Sequence, residues 1–252
     1  MRDDFYDIPK TILQEHAKPG MSPRYVHVSS VEVIRQMERQ GWTLAAAKAS
    51  KTRTRDPLFA RHALDFRQNN APESFGMVPR LLVMNSHDGS CNAFAAAGFF
   101  RPVSATGMVI GDLSAQLVTR HSKVNGHDFV VSTLKLAEGF DKHRKTLERW
   151  NKLKLSIDHR LEYARLASAL RFPDCGFYKS ADLLKSRREE EDAVNLLTVF
   201  QRVHENATKG GQKGVSPSGM RFKSRPIKSI RVDIHFNVQL WRMTEELSGL
   251  WR

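Results

Sequence analysis

The sequence predicts an α+β fold, with an antiparallel β-sheet in the N-terminal and middle part followed by a helical C-terminal half. Three observations carry that prediction. Short apolar or alternating runs joined by short links fill the middle third, no long crossover helix separates them, and helical spacing of apolar residues takes over after Gly126. The expected organisation is an N-terminal arm over residues 1–24 and a single α+β domain over 25–252, β-rich to 125 and helical from 126.

The lead-in, with Pro9, Pro19, Gly20 and Pro23, reads as irregular chain. Ser29-Ser30-Val31-Glu32 is a capping box, with Ser29 placed to cap and Glu32 to reach back. Val31, Ile34 and Met37 continue a helical period that Gly41 ends. Residues 42–49 are apolar and rich in Ala. Residues 59–67 alternate as a half-buried strand does, and 78–84 form a continuous apolar run that suits a more buried strand. Further strands are expected around 99–103, 107–110 and 115–120, which together make an antiparallel meander. Leu134, Leu136, Phe140, Leu147 and Trp150 then recur at helical spacing over 130–152, and 157–170 repeat the pattern until Pro173 and Gly176 break it. Amphipathic helices are also expected over 193–207 and 234–250. Glu189, Glu190, Glu191 and Asp192 favour the N-terminal dipole of the first of these.

A net charge of +13 and a pI near 10 imply an anionic partner. The richest apolar stretch, 93–100, is too short to cross a bilayer, and the first residues lack the apolar core of a signal peptide. No membrane association is expected. Cys91 and Cys175 stand alone without metal-type spacing, so a reducing cytoplasm is the expected location.

The basicity is concentrated. Between Glu205 and Asp233 lie Lys209, Lys213, Arg221, Lys223, Arg225, Lys228 and Arg231, with no acidic residue among them. They are spread through Lys209-Gly210-Gly211-Gln212-Lys213-Gly214 and Ser216-Pro217-Ser218-Gly219, which predicts an irregular loop rather than a helix or strand. Such a loop either brings cations and backbone N–H groups to a phosphate chain or is simply solvated. A second block, Lys48, Lys51, Arg53, Arg55, Arg61 and Arg67 against Asp56 and Asp65, carries a net +4. If 51–55 and 59–67 are adjacent strands, Lys51, Arg53 and Arg55 share a face, and the two blocks would line a groove for a sugar-phosphate backbone. Lys142, His143, Arg144, Lys145, Arg149, Lys152 and Lys154 form a third patch. Phe66, Phe99 and Phe100 either stack bases or belong to the core.

Asn85-Ser86-His87-Asp88-Gly89-Ser90 is the densest polar cluster, held at the end of an apolar strand. Its residues are turn formers that bond their own backbone, and Ser86, His87 and Ser90 could also donate to a phosphate or base. A metal held by His87 and Asp88 with His62 or His121 lacks the close ligand spacing of metal sites. The glycine pattern of an esterase nucleophile is also missing around Ser86 and Ser90. No catalytic residue, metal or cofactor is assigned.

The chain resembles a bacterial phage- and plasmid-borne family, the domain of unknown function numbered nine hundred and thirty-two, which has cryptic-prophage members. The resemblance rests on Tyr25 to Ser30, Gly41-Trp42, Arg53 to Asp56 and Arg61-His62, and most specifically on Val83 to Ser90, Gly98 to Arg101 and Thr106 to Gly111. Phe200 to Val203, Glu205-Asn206, Lys209 to Gly211 and Asn237 to Trp241 extend it to the C-terminal half. Pro102 to Gly107 stands where the family tends to have Cys and Asn, and the link from Gln68 to Met77 is shorter. The resemblance implies a mobile-element setting and no residue roles.

The expected function is nucleic-acid binding for a mobile element, by binding or annealing single-stranded DNA in recombination, with RNA as the second option. Its contacts would come from Lys51, Arg53, Arg55, Arg61, Lys209, Lys213, Arg221, Lys223, Arg225 and Lys228, with Asn85 to Ser90 as a further polar site. A helix, an antiparallel sheet, further helices and basic loops are similar at fold level to single-strand-annealing recombinases, so a homo-oligomer is one expected state. The alternative is an anti-defence or regulatory protein that occupies a host nucleoprotein complex. An enzyme acting through His62, His87, Asp88 or His121 is the third class.

Overall fold

The computed structural model describes residues 8–53, 55–100, 116–122, 126–173, 177–187, 193–216 and 218–251. They fall into two compact units, one ending at Phe140 and the other beginning at Asp141. The fold is α+β, with an antiparallel five-stranded sheet followed by helices. Among the described residues, no helix is long and apolar enough to cross a membrane.

The first unit opens with irregular chain that is nonetheless packed, since Ile12 is fully buried and the Thr11 hydroxyl donates to the Ala60 carbonyl at 2.9 Å. Helix α1 (Ser30–Arg39) starts where Ser29 caps the Glu32 N–H, and Gly41 leaves it in the left-handed conformation at φ 79°. Glu32 does not complete the capping box; it accepts from the Gln36 amide at 2.9 Å. Ser30, Val33, Ile34 and Met37 are its buried stripe, one side chain per turn or so. The sheet is a meander of β1 (Trp42–Ala49), β2 (His62–Gln68), β3 (Val78–Asn85), β4 (Ala93–Phe100) and β5 (Gln116–Thr119), paired in chain order. Helix α2 (Gly126–Leu136) follows, and Phe140 packs edge-on against Phe99 at 5.5 Å.

Several expectations are corrected here. The strand beside β2 is the Ala-rich 42–49, and the described residues 51–53 and 55 belong to no strand. Antiparallel pairing with β2 along the whole strand overrides the weak strand propensity of Ala. Strand β2 begins at His62 and does not alternate, because every residue from His62 to Phe66 is buried. The next strand is Ala93–Phe100 rather than 99–103; its small side chains allow the close packing that leaves Ala95, Ala96 and Ala97 with no exposure. The strand expected at 107–110, residues 101–103 and the acidic run 189–192 lie outside the described residues.

The second unit contains most of α3 (Phe140–Lys152), then α4 (Ile157–Arg171), α5 (Leu196–Lys209) and α6 (Ile230–Leu250). The single helix expected over 130–152 is two, separated by a 3-10 turn at Ala137–Gly139. Gly139 lowers the helical propensity there. Trp150, Trp241 and Phe200 form an aromatic centre, with the two indoles 4.4 Å apart, and Tyr163 reaches Thr244 at 2.6 Å. A small sheet, β6 (Phe177–Tyr178), β7 (Lys213–Val215) and β8 (Arg221–Lys223), is the correction to the loop expected over 209–219. Gly219, at φ 81°, lies in the turn between two very short strands, so local composition reads as loop while cross-strand pairing decides the outcome.

Ala63 and Leu64 project to opposite faces of β2 and are both buried. Ala63→Lys and Leu64→Lys are therefore both expected to cost more than about 4 kcal/mol in urea unfolding or to prevent folding. A strand with one wet face would tolerate one of the two.

Candidate functional site

The turn after β3 separates the polar cluster into two populations. Asn85, Ser86 and His87 point inward and are essentially without exposure. The Asn85 amide donates to the Val28 carbonyl at 2.8 Å and to Ser30 Oγ at 3.1 Å, and Ser86 Oγ accepts from the Cys91 N–H. Gly89, at φ 66°, allows the chain to turn, so that Asp88 and Ser90 line a cleft, with the Asp88 side chain largely covered.

Inside lies a feature no local sequence signal announced: His27, His62 and His87 are in ring contact, His62 to His87 at 4.9 Å and His27 to His87 at 4.7 Å. His121 stacks on Tyr25 nearby, also at 4.7 Å. The partners fix the tautomers. The Ala60 carbonyl, 3.1 Å from His62 Nδ1, can only accept, so that nitrogen carries the hydrogen and Nε2 accepts from Ser30 Oγ at 2.6 Å. His121 likewise donates from Nδ1 to the Val26 carbonyl. His87 Nδ1 meets His27 Nε2 at 3.0 Å. Its own Nε2 faces the Thr11 carbonyl without a well-formed bond.

These imidazoles are neutral at pH 7. Burial lowers His62 to about 4, against weaker raising by the Ala60 carbonyl and Asp88. Burial, then the fields of His62, His27 and His121, lower His87 to about 3. Burial likewise lowers His27 and His121. Among the described residues no three His, Cys, Asp or Glu side chains are grouped to hold a metal ion. The geometry is that of an internally bonded polar core under the turn.

The outward half of the turn joins the second basic block. Lys51, Arg53, Arg55 and Arg61 line one cleft of about 390 Å³ with Asp88 and Ser90. Arg61 is held by the Ser90 hydroxyl and carbonyl, and Arg55 lies 4.0 Å from Asp88. Burial alone would raise the Asp88 pKa; hydrogen bonds from Ser90 and the Arg55 charge outweigh it and hold the carboxyl below its ordinary range. Four cations thus share one carboxylate. Phe66 and Phe99 are fully buried and cannot stack on a ligand, and the Phe100 side chain lies outside the description.

In the second unit the acid-free segment is a hairpin rather than a loop. Lys213 is paired directly with Lys223, and Arg221 with Val215, which sets all three cations on one face. All are exposed, as are Lys209, Arg225 and Lys228. A cavity of about 630 Å³ at the end of α5 takes in Lys209 and Lys223, together with Lys185 and Arg187, which sequence reasoning did not single out. The two blocks belong to different units, and within its own unit each contributes cations to a cavity. The third patch is divided, with His143 buried edge-on to Trp241 while Lys142, Lys145, Arg149 and Lys152 are exposed.

The model of a family described as a domain of unknown function, DUF932, matches residues 20–241. Over 250 residues the chain is 26% identical to the UPF0380 protein YafZ of Escherichia coli (strain K12), covering 98% of this chain and 90% of the relative. The UPF0380 protein YfjQ of the same strain is 25% identical over the same shares. No solved structure matches the chain significantly.

The lowered histidine pKa values set a pH dependence. The folded values lie below the ordinary 6.5, so this contribution to stability is complete above about pH 6.5 and is lost as pH falls toward about 4 for His62 and about 3 for His87. His62 alone contributes on the order of 3 kcal/mol across that window. Urea unfolding at pH 7.5, 5.5 and 4.5 should show a steep decline that His87→Gln makes shallower; equal stability at pH 7.5 and 4.5 would contradict the neutral cluster.

Proposed function

The chain belongs to the DUF932 family of domains of unknown function, and from that premise we propose that it is a nucleic-acid-binding protein of a mobile element that grips single-stranded DNA by its phosphates. The observation that carries this is the hairpin face. Lys213 and Lys223 stand directly opposite one another beside Arg221, with no acidic partner among the described residues. Like charges at directly opposed sheet positions cost stability. A polyanion that releases its counterions to these cations offsets that cost.

Single strands suit the dimensions better than duplex does. Strands of three residues are too short to follow a major groove, and clefts of about 390 and 630 Å³ have the capacity of individual nucleotides. Within the first unit, Arg55 and Arg61 are positioned by Asp88 and Ser90 rather than left to wander, which lowers the entropy lost on contacting phosphate. With Phe66 and Phe99 buried, affinity rests on charge more than on stacking.

Mobility-shift titrations with single-stranded DNA, duplex DNA and RNA over a range of salt test the proposal. Binding to single strands should be tightest and fall steeply with salt. Replacing both Lys213 and Arg221 by Gln should flatten the log–log slope by about 1.4, at about 0.7 per lost phosphate contact. A slope unchanged by the double substitution would remove the hairpin from the interface, and absence of binding to all three nucleic acids would end the proposal.

A further inference from the structure

The cleft between residues 50–61 and the Asp88–Ser90 turn concentrates more positive charge than one nucleotide of a strand can answer. We propose that it is a binding site for the triphosphate of a free nucleotide. Its cations also serve the strand-binding reading above, but a free nucleotide does not depend on that reading.

The walls of the cleft are fixed by the sheet of the first unit. The Ser50 N–H donates to the Arg61 carbonyl at 2.7 Å, which ties the chain leaving β1 to the chain entering β2. The His87 N–H donates to the Phe59 carbonyl at 3.1 Å, which ties the turn after β3 to the same segment. The Arg55 N–H donates to Thr52 Oγ1 at 3.0 Å, and the Ser90 N–H donates to the Asp88 carboxylate at 2.9 Å. On this frame Arg61 donates from Nε to Ser90 Oγ at 3.3 Å and from Nη2 to the Ser90 carbonyl, while Arg55 lies 4.0 Å from Asp88. Two guanidinium groups are thereby positioned before any ligand arrives, which lowers the entropy lost on binding.

The charge selects the ligand. Lys51, Arg53, Arg55 and Arg61 line the cleft, and Asp88 is the carboxylate among its described lining residues. Asp56, the other acid close by in sequence, accepts from the Leu58 N–H at 2.9 Å. The side chains of Lys51 and Arg53 are exposed and make no ion pair or hydrogen bond among the described residues. Three positive charges are therefore in excess within about 390 Å³, a volume that admits one nucleotide. A strand presents one negative charge per phosphate, and a sugar separates each phosphate from the next. A nucleoside triphosphate instead joins three phosphoryl groups through single oxygens. With one charge on each inner group and close to two on the terminal one, it carries about four. That concentrated charge matches the cleft, whereas a single diester leaves most of the excess unanswered.

Isothermal titration calorimetry of the full chain, without divalent cations, compares deoxyadenosine triphosphate with deoxyadenosine monophosphate and uses inorganic tripolyphosphate as competitor. Binding of a labelled single-stranded oligonucleotide is measured alongside. The triphosphate should bind at least about tenfold more tightly than the monophosphate, the equivalent of one charge-assisted contact, and tripolyphosphate should displace it. Lys51→Gln with Arg53→Gln, at exposed positions, should weaken triphosphate binding about tenfold. Lys213→Gln with Arg221→Gln on the hairpin should leave it unchanged. Equal affinity for triphosphate and monophosphate, or no displacement by tripolyphosphate, overturns the proposal even where strand binding persists. Full triphosphate affinity in the Lys51 and Arg53 double variant, or its loss in the hairpin double variant, overturns the placement in this cleft. Triphosphate binding without strand binding upholds the cleft and removes the nucleic-acid reading instead.

Discussion

Burial on both faces of β2 and β3 is the constraint from which the first unit follows. A strand with no wet face cannot leave polar groups at its ends unpartnered, because each would carry a desolvation cost of a few kcal/mol. His62, Asn85, Ser86 and His87 sit at those ends, and each is engaged by Ser30, Val28, Cys91 or His27. The lead-in and the start of α1 are thereby tied to the sheet through side chains rather than through strand pairing. The same turn must then bring Asp88 and Ser90 outward, where they fix Arg55 and Arg61. Internal satisfaction and external charge are two sides of one bend in the chain.

The second unit solves a similar problem differently. Helix α5 ends in buried polar residues, and Asn206, Gln212 and Ser224 close its open end against the hairpin. Beside that frame Lys213, Arg221 and Lys223 stand on two short paired strands. Glu205 holds Lys209 and Asp182 holds Lys185, while the side chains of Lys213, Arg221 and Lys223 form no ion pair among the described residues. Cations on a paired backbone lose less chain entropy on meeting an anion than cations on a loose loop would.

Much of this was legible in the residues themselves. The capped helix at Ser29, the apolar run that became β3 and the meander were readable because local pattern and tertiary burial agree there. The Ala-rich 42–49 and 93–98 carry no strand signal of their own, since Ala has little preference for strands and its fit depends on close neighbours invisible to local pattern. The hairpin was hidden by its glycines. The basic block at 51–61 and the turn at Asp88 and Ser90 were each visible, but their meeting in one cleft depends on β2 and β3 pairing His62 with Asn85. The histidine cluster gathers residues from four separate stretches, and Lys185 and Arg187 enter their cavity from the chain just after a 3-10 turn, far from the acid-free run in sequence. Long-range encounters of that kind leave no periodic trace.

Photo-crosslinking of single-stranded DNA to the intact chain, with the attached peptides mapped by mass spectrometry, puts the central claim to its most direct trial. The account predicts attachment within residues 51–61 and 209–228, and its loss at high salt. Attachment confined to other surfaces, or unaffected by salt, would contradict it.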